Sequence, residues 1–142
     1  MTDKLPEMLI AFSAVALGGG LGSVARFWVS GVVARRYGET FPWGTLVVNV
    51  TGAAAIGVLA TILLAPGTHA IQNPTAWAAL VIGLLGSYTT VSSFSLQTLA
   101  LARNGETGRA LANIVLSLAL CLAAAAGTWI ATPHALALWA AP

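Results

Sequence analysis

The residues with chemistry to offer in this chain are hydroxyls and amides rather than acids, bases or thiols. They concentrate in Gly86-Ser87-Tyr88-Thr89-Thr90-Val91-Ser92-Ser93-Phe94-Ser95, the middle of an uncharged stretch from Ala76 to Ala102. In hydrocarbon an unpaired hydroxyl or a freed carbonyl is costly, so such a run persists only where it faces protein, an ion or a water-filled path. Gly and consecutive Thr also weaken a helix, through backbone entropy and competing side-chain hydrogen bonds. If the helix unwinds there, released carbonyls can bind a cation, while the hydroxyls and the new helix end can face an anion. A polar packing face between helices would explain a few hydroxyls but not this density.

Three further sets of residues could join it. Asn49 lies within Gly44-Thr45-Leu46-Val47-Val48-Asn49-Val50-Thr51-Gly52; an amide at that depth commonly ties helices together, yet its NH₂ group also offers the donors a desolvated anion needs. Asn113, Ser117 and Cys121 recur every fourth residue and so share one helical face. Arg26 is a cation within reach of the membrane, which either snorkels to the headgroups or stands in an aqueous vestibule. Gly18-Gly19-Gly20-Leu21-Gly22-Ser23 reads as close helix packing, because no Lys-Ser/Thr follows it as a nucleotide loop requires. Catalysis finds no support: His69 and His134 fall in expected loops, no acid lies in an apolar span, and the lone Cys121 has neither a base nor a disulfide partner in the chain.

The elements that must position these groups are membrane helices. Of 142 residues 58% are hydrophobic and 7% charged, far from the roughly 25% charged of a globular domain. Apolar runs at about 8–33, 43–65, 76–102 and 110–131 are long enough to cross the bilayer. One all-α membrane domain of four transmembrane helices follows, the third of them broken. The acidic Met1 to Glu7 segment and the absence of a small-residue cleavage pattern favour a retained first helix over a signal peptide. A net charge of +2 without a basic stripe argues against nucleic acid. Pro42 suits the first turn of the second helix, Arg103-Asn104-Gly105 the turn after the third, and Thr132-Pro133-His134 is expected to stop the fourth. Arg35, Arg36, Arg103 and Arg109 collect on one side with Arg26 nearby, against Lys4 on the other, which places both termini outside the cytoplasm.

Three ordered motifs then resemble a known family. Gly19-Gly20-Leu21-Gly22-Ser23-Val24-Ala25-Arg26-Phe27 is similar to its Gly-Gly-x-x-Gly-Ala-x-x-Arg-Tyr pattern in helix one. Phe41-Pro42-Trp43-Gly44-Thr45-Leu46-Val47-Val48-Asn49-Val50-Thr51-Gly52 resembles Pro-x-Gly-Thr-Leu-x-x-Asn-x-x-Gly in helix two. Gly83-Leu84-Leu85-Gly86-Ser87-Tyr88-Thr89-Thr90-Val91-Ser92-Ser93-Phe94 resembles Gly-x-x-Gly-Gly-x-Thr-Thr-Phe-Ser-Thr-Phe in helix three. The family is that of the Fluc (CrcB-type) fluoride channels, and the resemblance spans the whole four-helix chain. It implies passive export of fluoride across the plasma membrane, an antiparallel dimer with pores along the subunit interface, and a structural sodium ion on the two-fold axis. Matched by position, the carbonyls of Gly86 and Thr89 would hold the sodium. Asn49 and the ring edge of Phe94 would contact fluoride, with Ser92, Ser93, Asn113 and Ser117 extending the polar track. Val91 stands where the family pattern has its first Phe, and Ser87 where it has a second Gly. The partner would be a second copy or a paired homologous subunit. The competing readings are a proton-coupled exporter, disfavoured by the lack of a titratable acid in any span, and a non-conducting partner subunit.

Overall fold

Apolar runs without helix breakers have one low-energy option in hydrocarbon, since a helix satisfies its own backbone. The computed structural model, which describes residues 4–140 other than 66 and 68, accordingly holds four helical spans long and apolar enough to cross a membrane. The first is α1 (Leu5–Tyr37) and the second α2 (Trp43–Leu63). The third is composite: α3 (Pro74–Trp77), a π-helical segment (Ala78–Leu85), α4 (Gly86–Tyr88) and α5 (Val91–Arg103). The fourth is α6 (Thr107–Ala140). At 1.5 Å per residue α1 and α6 are each about 50 Å long, so their ends project beyond the hydrocarbon, and Glu7 sits exposed in the first turn of α1.

Local chemistry sets most of the ends. Asn73 caps α3 by accepting from the Ala76 amide at 2.9 Å, with Pro74 in the first turn. At the end of α5 the Glu106 amide reaches the Leu101 carbonyl at 2.9 Å and Gly105 the Ala102 carbonyl at 3.2 Å. With Gly105 at φ 79, a conformation that favours glycine, this is a Schellman turn. The last helix does not stop at Thr132-Pro133-His134; α6 runs through Pro133 to Ala140. Proline removes the bond to the carbonyl one turn back; that carbonyl, of Trp129, lies 3.5 Å from the Thr61 hydroxyl, whose shorter bond goes to the Gly57 carbonyl at 3.0 Å. The expected turn between the second and third spans is closed by a bridge between Leu64 and Ile71, while its Pro66 and Thr68 lie outside the described residues.

Packing relies on close backbone approach rather than large side chains. A Cβ on Gly18 would strike the Ala79 carbonyl, one on Gly22 the Leu84 carbonyl and Ser87 Oγ, and one on Gly83 the Val15 carbonyl. α1 and the π segment are therefore seated backbone against backbone, as small residues permit in membranes. The Ser87 hydroxyl shares its single proton between the Gly19 and Gly83 carbonyls, each 2.8 Å away. Between α2 and α6 the same arrangement recurs where Gly57 faces Ala125 and Thr128, and Thr128 Oγ1 donates to the Ala54 carbonyl at 2.9 Å.

Candidate functional site

The third span breaks at Thr89-Thr90, one turn beyond the glycine that weakens it. Gly86 remains helical, whereas Thr89 has φ −79, ψ 160 and Thr90 φ −151, ψ 119, both extended. Asn49 holds this geometry with both ends of its amide: Nδ2 donates to the Thr90 carbonyl at 2.9 Å and Oδ1 accepts from the Thr90 amide at 2.8 Å. That second bond takes the N–H which would otherwise have closed a helical turn on the Gly86 carbonyl. Thr90 also caps α5, its Oγ1 accepting from the Ser93 amide at 3.2 Å, so the Thr89 carbonyl loses its helical donor as well. Arg26 Nη1 lies 3.4 Å from that carbonyl, a long contact that ties α1 to the break. Tyr88 and Thr51 meet hydroxyl to hydroxyl at 2.9 Å. Because Thr51 donates its own proton to the Val47 carbonyl at 2.7 Å, the phenol is the donor, and a second tether joins α2 to the break.

Cavities lie on both sides of this knot. A polar cavity of about 230 Å³ is lined by Ser23, Arg26, Ser30, Thr45, Thr90 and Ser93, among others. It shares Phe27, Ser30, Thr45 and Ser93 with a larger mouth of about 650 Å³ that opens beside the α1–α2 and α5–α6 turns. On the other side an apolar groove of about 470 Å³ runs past Asn49, Gly86, Val91, Phe94, Ser117 and Cys121. Thr90 lines both the polar cavity and the groove. The clamped peptide is thus the partition between them.

The residues singled out from sequence distribute unevenly. Arg26 and Ser93 face the polar cavity, and Asn49, Gly86, Thr89, Phe94 and Ser117 face the groove. Ser92 is exposed and lines neither, its Oγ lying 3.1 Å from Thr90 Oγ1. Asn113, 1% exposed, lines neither as well. Its Nδ2 donates to Thr98 Oγ1 at 2.8 Å, and Thr98 donates to the Phe94 carbonyl at 2.7 Å. The stripe of Asn113, Ser117 and Cys121 is therefore divided, one member tying helices together and two lining the groove. Sequence reading missed Thr45, Ser23, Ser30 and the clamped Thr90 as cavity residues. Two spacings carried the signal: Thr45 precedes Asn49 by one turn, and Ser23, Arg26 and Ser30 follow one another by three and four residues. Among the described residues no three His, Cys, Asp or Glu side chains gather as a metal site.

Four apolar spans, the third of them broken, with a cation and hydroxyls in a cavity on one side of the break, define a multi-pass membrane protein. The sequence pattern of the CrcB-like protein family, Camphor Resistance (CrcB), matches residues 13–129, and the chain belongs to that family. It is 58% identical, over 84% of its length and 91% of the relative's, to a protein named fluoride-specific ion channel FluC 2 from Rhodopseudomonas palustris (strain BisB18). It is also 58% identical to the fluoride-specific ion channel FluC of Opitutus terrae, over 78% of this chain and 83% of that one. With the FluC 2 of Bradyrhizobium diazoefficiens it shares 56% identity over 78% and 80% of the two chains.

Proposed function

We propose that this chain is a subunit of a fluoride-specific channel of the plasma membrane, passing the ion passively and so lowering its cytoplasmic concentration. The observation that carries the reading is the Asn49–Thr90 clamp, which fixes an amide with one N–H to spare at the partition between a cationic, hydroxylated cavity and the Phe94 groove. Fluoride holds its water tightly, so a narrow path must replace that shell with donors. Arg26 draws the anion into the polar cavity, where the Ser93 and Thr45 hydroxyls line its way. Asn49 keeps one N–H beyond the bond it gives Thr90, and the positive ring edge of Phe94 continues the sequence of weak contacts toward Ser117. The names of the relatives support the ion's identity.

Two parts of the assembly belong to the same proposal. The groove leaves Asn49 half-buried at its open side, and Thr51, Ser92 and Ser95 are exposed within apolar spans. Polar groups of this kind are poorly placed against lipid, which favours cover by a second, antiparallel copy or a paired homologous subunit. The Gly86 and Thr89 carbonyls have both lost their helical donors, the second having only the long contact from Arg26; they would suit a structural sodium ion, and a two-fold axis would double them to four oxygens. Bound there, sodium would supply fixed positive charge that holds the two breaks together. Proton-coupled export is disfavoured because Glu39 and Glu106 lie in the turns and Glu7 at the exposed start of α1. The test is fluoride efflux from liposomes holding the purified chain, without a pH gradient. Flux that appears only with an imposed proton gradient would overturn the reading.

A further inference from the structure

We infer that Glu106 governs how strongly the mouth of the passage captures anions, by holding the Arg109 guanidinium in an ion pair. The inference rests on the anion-channel reading above and concerns residues that the passage itself does not use.

The mouth and the polar cavity share Phe27, Ser30, Thr45 and Ser93, so an ion approaching Arg26 crosses the mouth first. The charged side chains lining the mouth are Glu39, Glu106 and Arg109, two carboxylates and one guanidinium, with Arg35 Nη1 close to the mouth-lining Gly31. The guanidinium is not free: Arg109 Nη1 sits 2.8 Å from Glu106 Oε2, with the side chains 52% and 40% exposed. The backbone of Glu106 is fixed independently of that pair, because its amide closes the Schellman turn on the Leu101 carbonyl at 2.9 Å. Replacing Arg109 should therefore leave residue 106 and its charge beside the mouth. A pair this exposed contributes little to folding, yet its charges stand where the field acts on incoming ions. An entrance that is not too attractive also serves throughput, since conduction requires that an anion leave as well as bind.

The sign pattern of three variants tests this. At low ionic strength Glu106→Gln should raise the initial fluoride efflux from proteoliposomes about twofold, the effect of one unit charge acting over roughly 10 Å in water. Arg109→Gln should lower it by a similar factor, and the double variant should return to the parental rate. Both single-variant differences should shrink at about 1 M inert salt, where the Debye length is about 3 Å. The fluoride-to-chloride ratio should stay unchanged, because selection lies deeper. Matched melting temperatures in detergent show that each variant folds. Equal rates for Glu106→Gln and parent at low salt, the same direction of change in both single variants, or differences that survive high salt would each overturn the inference alone. A parent chain that passes no fluoride would instead overturn the channel reading, and this inference with it.

Discussion

At the scale of single residues, Asn49 has two duties that pull on one amide. It satisfies both polar groups of the Thr90 peptide, and in the proposed pathway its remaining N–H meets the ion. Asn49→Ala removes both. Leaving the Thr90 N–H and carbonyl without partners should cost about 1 to 3 kcal/mol each, read as a lower melting temperature in detergent. Flux should fall by tenfold or more, because a hydrogen bond to an ion contributes about 1.5 to 3 kcal/mol. Normal flux in well-folded Asn49→Ala would return the residue to helix tethering alone. Val91 offers the opposite experiment. It is 77% exposed and lines the groove beside Phe94, so Phe at this position meets no obstacle within its own chain. Val91→Phe should preserve the preference for fluoride over chloride and raise its flux by adding a second aromatic edge. A destabilised dimer, by about 1 to 3 kcal/mol, without gain in flux would mean that a partner already fills this space.

At the scale of elements, the broken third span works because α1 and α2 hold it from two sides. α1 carries Arg26 and is seated on the π segment through Gly18 and Gly22, where an added Cβ would strike carbonyls. Gly22→Ala should therefore cost about 1 to 3 kcal/mol. It should also depress flux without touching the pathway, since pushing α1 outward withdraws Arg26 from Thr89; thermal unfolding and efflux on the same preparation check both. Much of this architecture was legible in the residues. Uninterrupted apolar runs gave the four spans, and the pairing of a helix-weakening Gly with consecutive Thr gave a break in the third. What was not legible depends on neighbours. Gly86 stays helical and the chain opens at Thr89-Thr90, because the decisive partner is an amide 41 residues away in sequence. The π segment has no marker in the run Ala78–Leu85, whose residues suit an α-helix equally well. Pro133 reads as a stop, yet the carbonyl it orphans faces Thr61 on another helix. The register of Asn113 gives it the face of Ser117, but not the bond its amide donates to Thr98 across helices.

At the scale of the whole molecule, one chain is asymmetric about the Thr90 peptide, with a cationic polar cavity on one side and an open apolar groove on the other. An antiparallel partner would cover the groove and supply a second cavity at the opposite membrane face, giving a path whose ends are alike. The central claim is that this path passes fluoride passively and discriminates against chloride because its closely spaced donors replace the tightly held water of the smaller ion. The direct measurement is efflux from liposomes loaded with equal fluoride and chloride and containing the purified chain, with a potassium ionophore to balance charge and equal pH on both sides. The account predicts that a fluoride electrode records rapid release while chloride stays inside at the rate of protein-free vesicles. Chloride leaving alongside fluoride, or fluoride release only after a proton gradient is imposed, would contradict it.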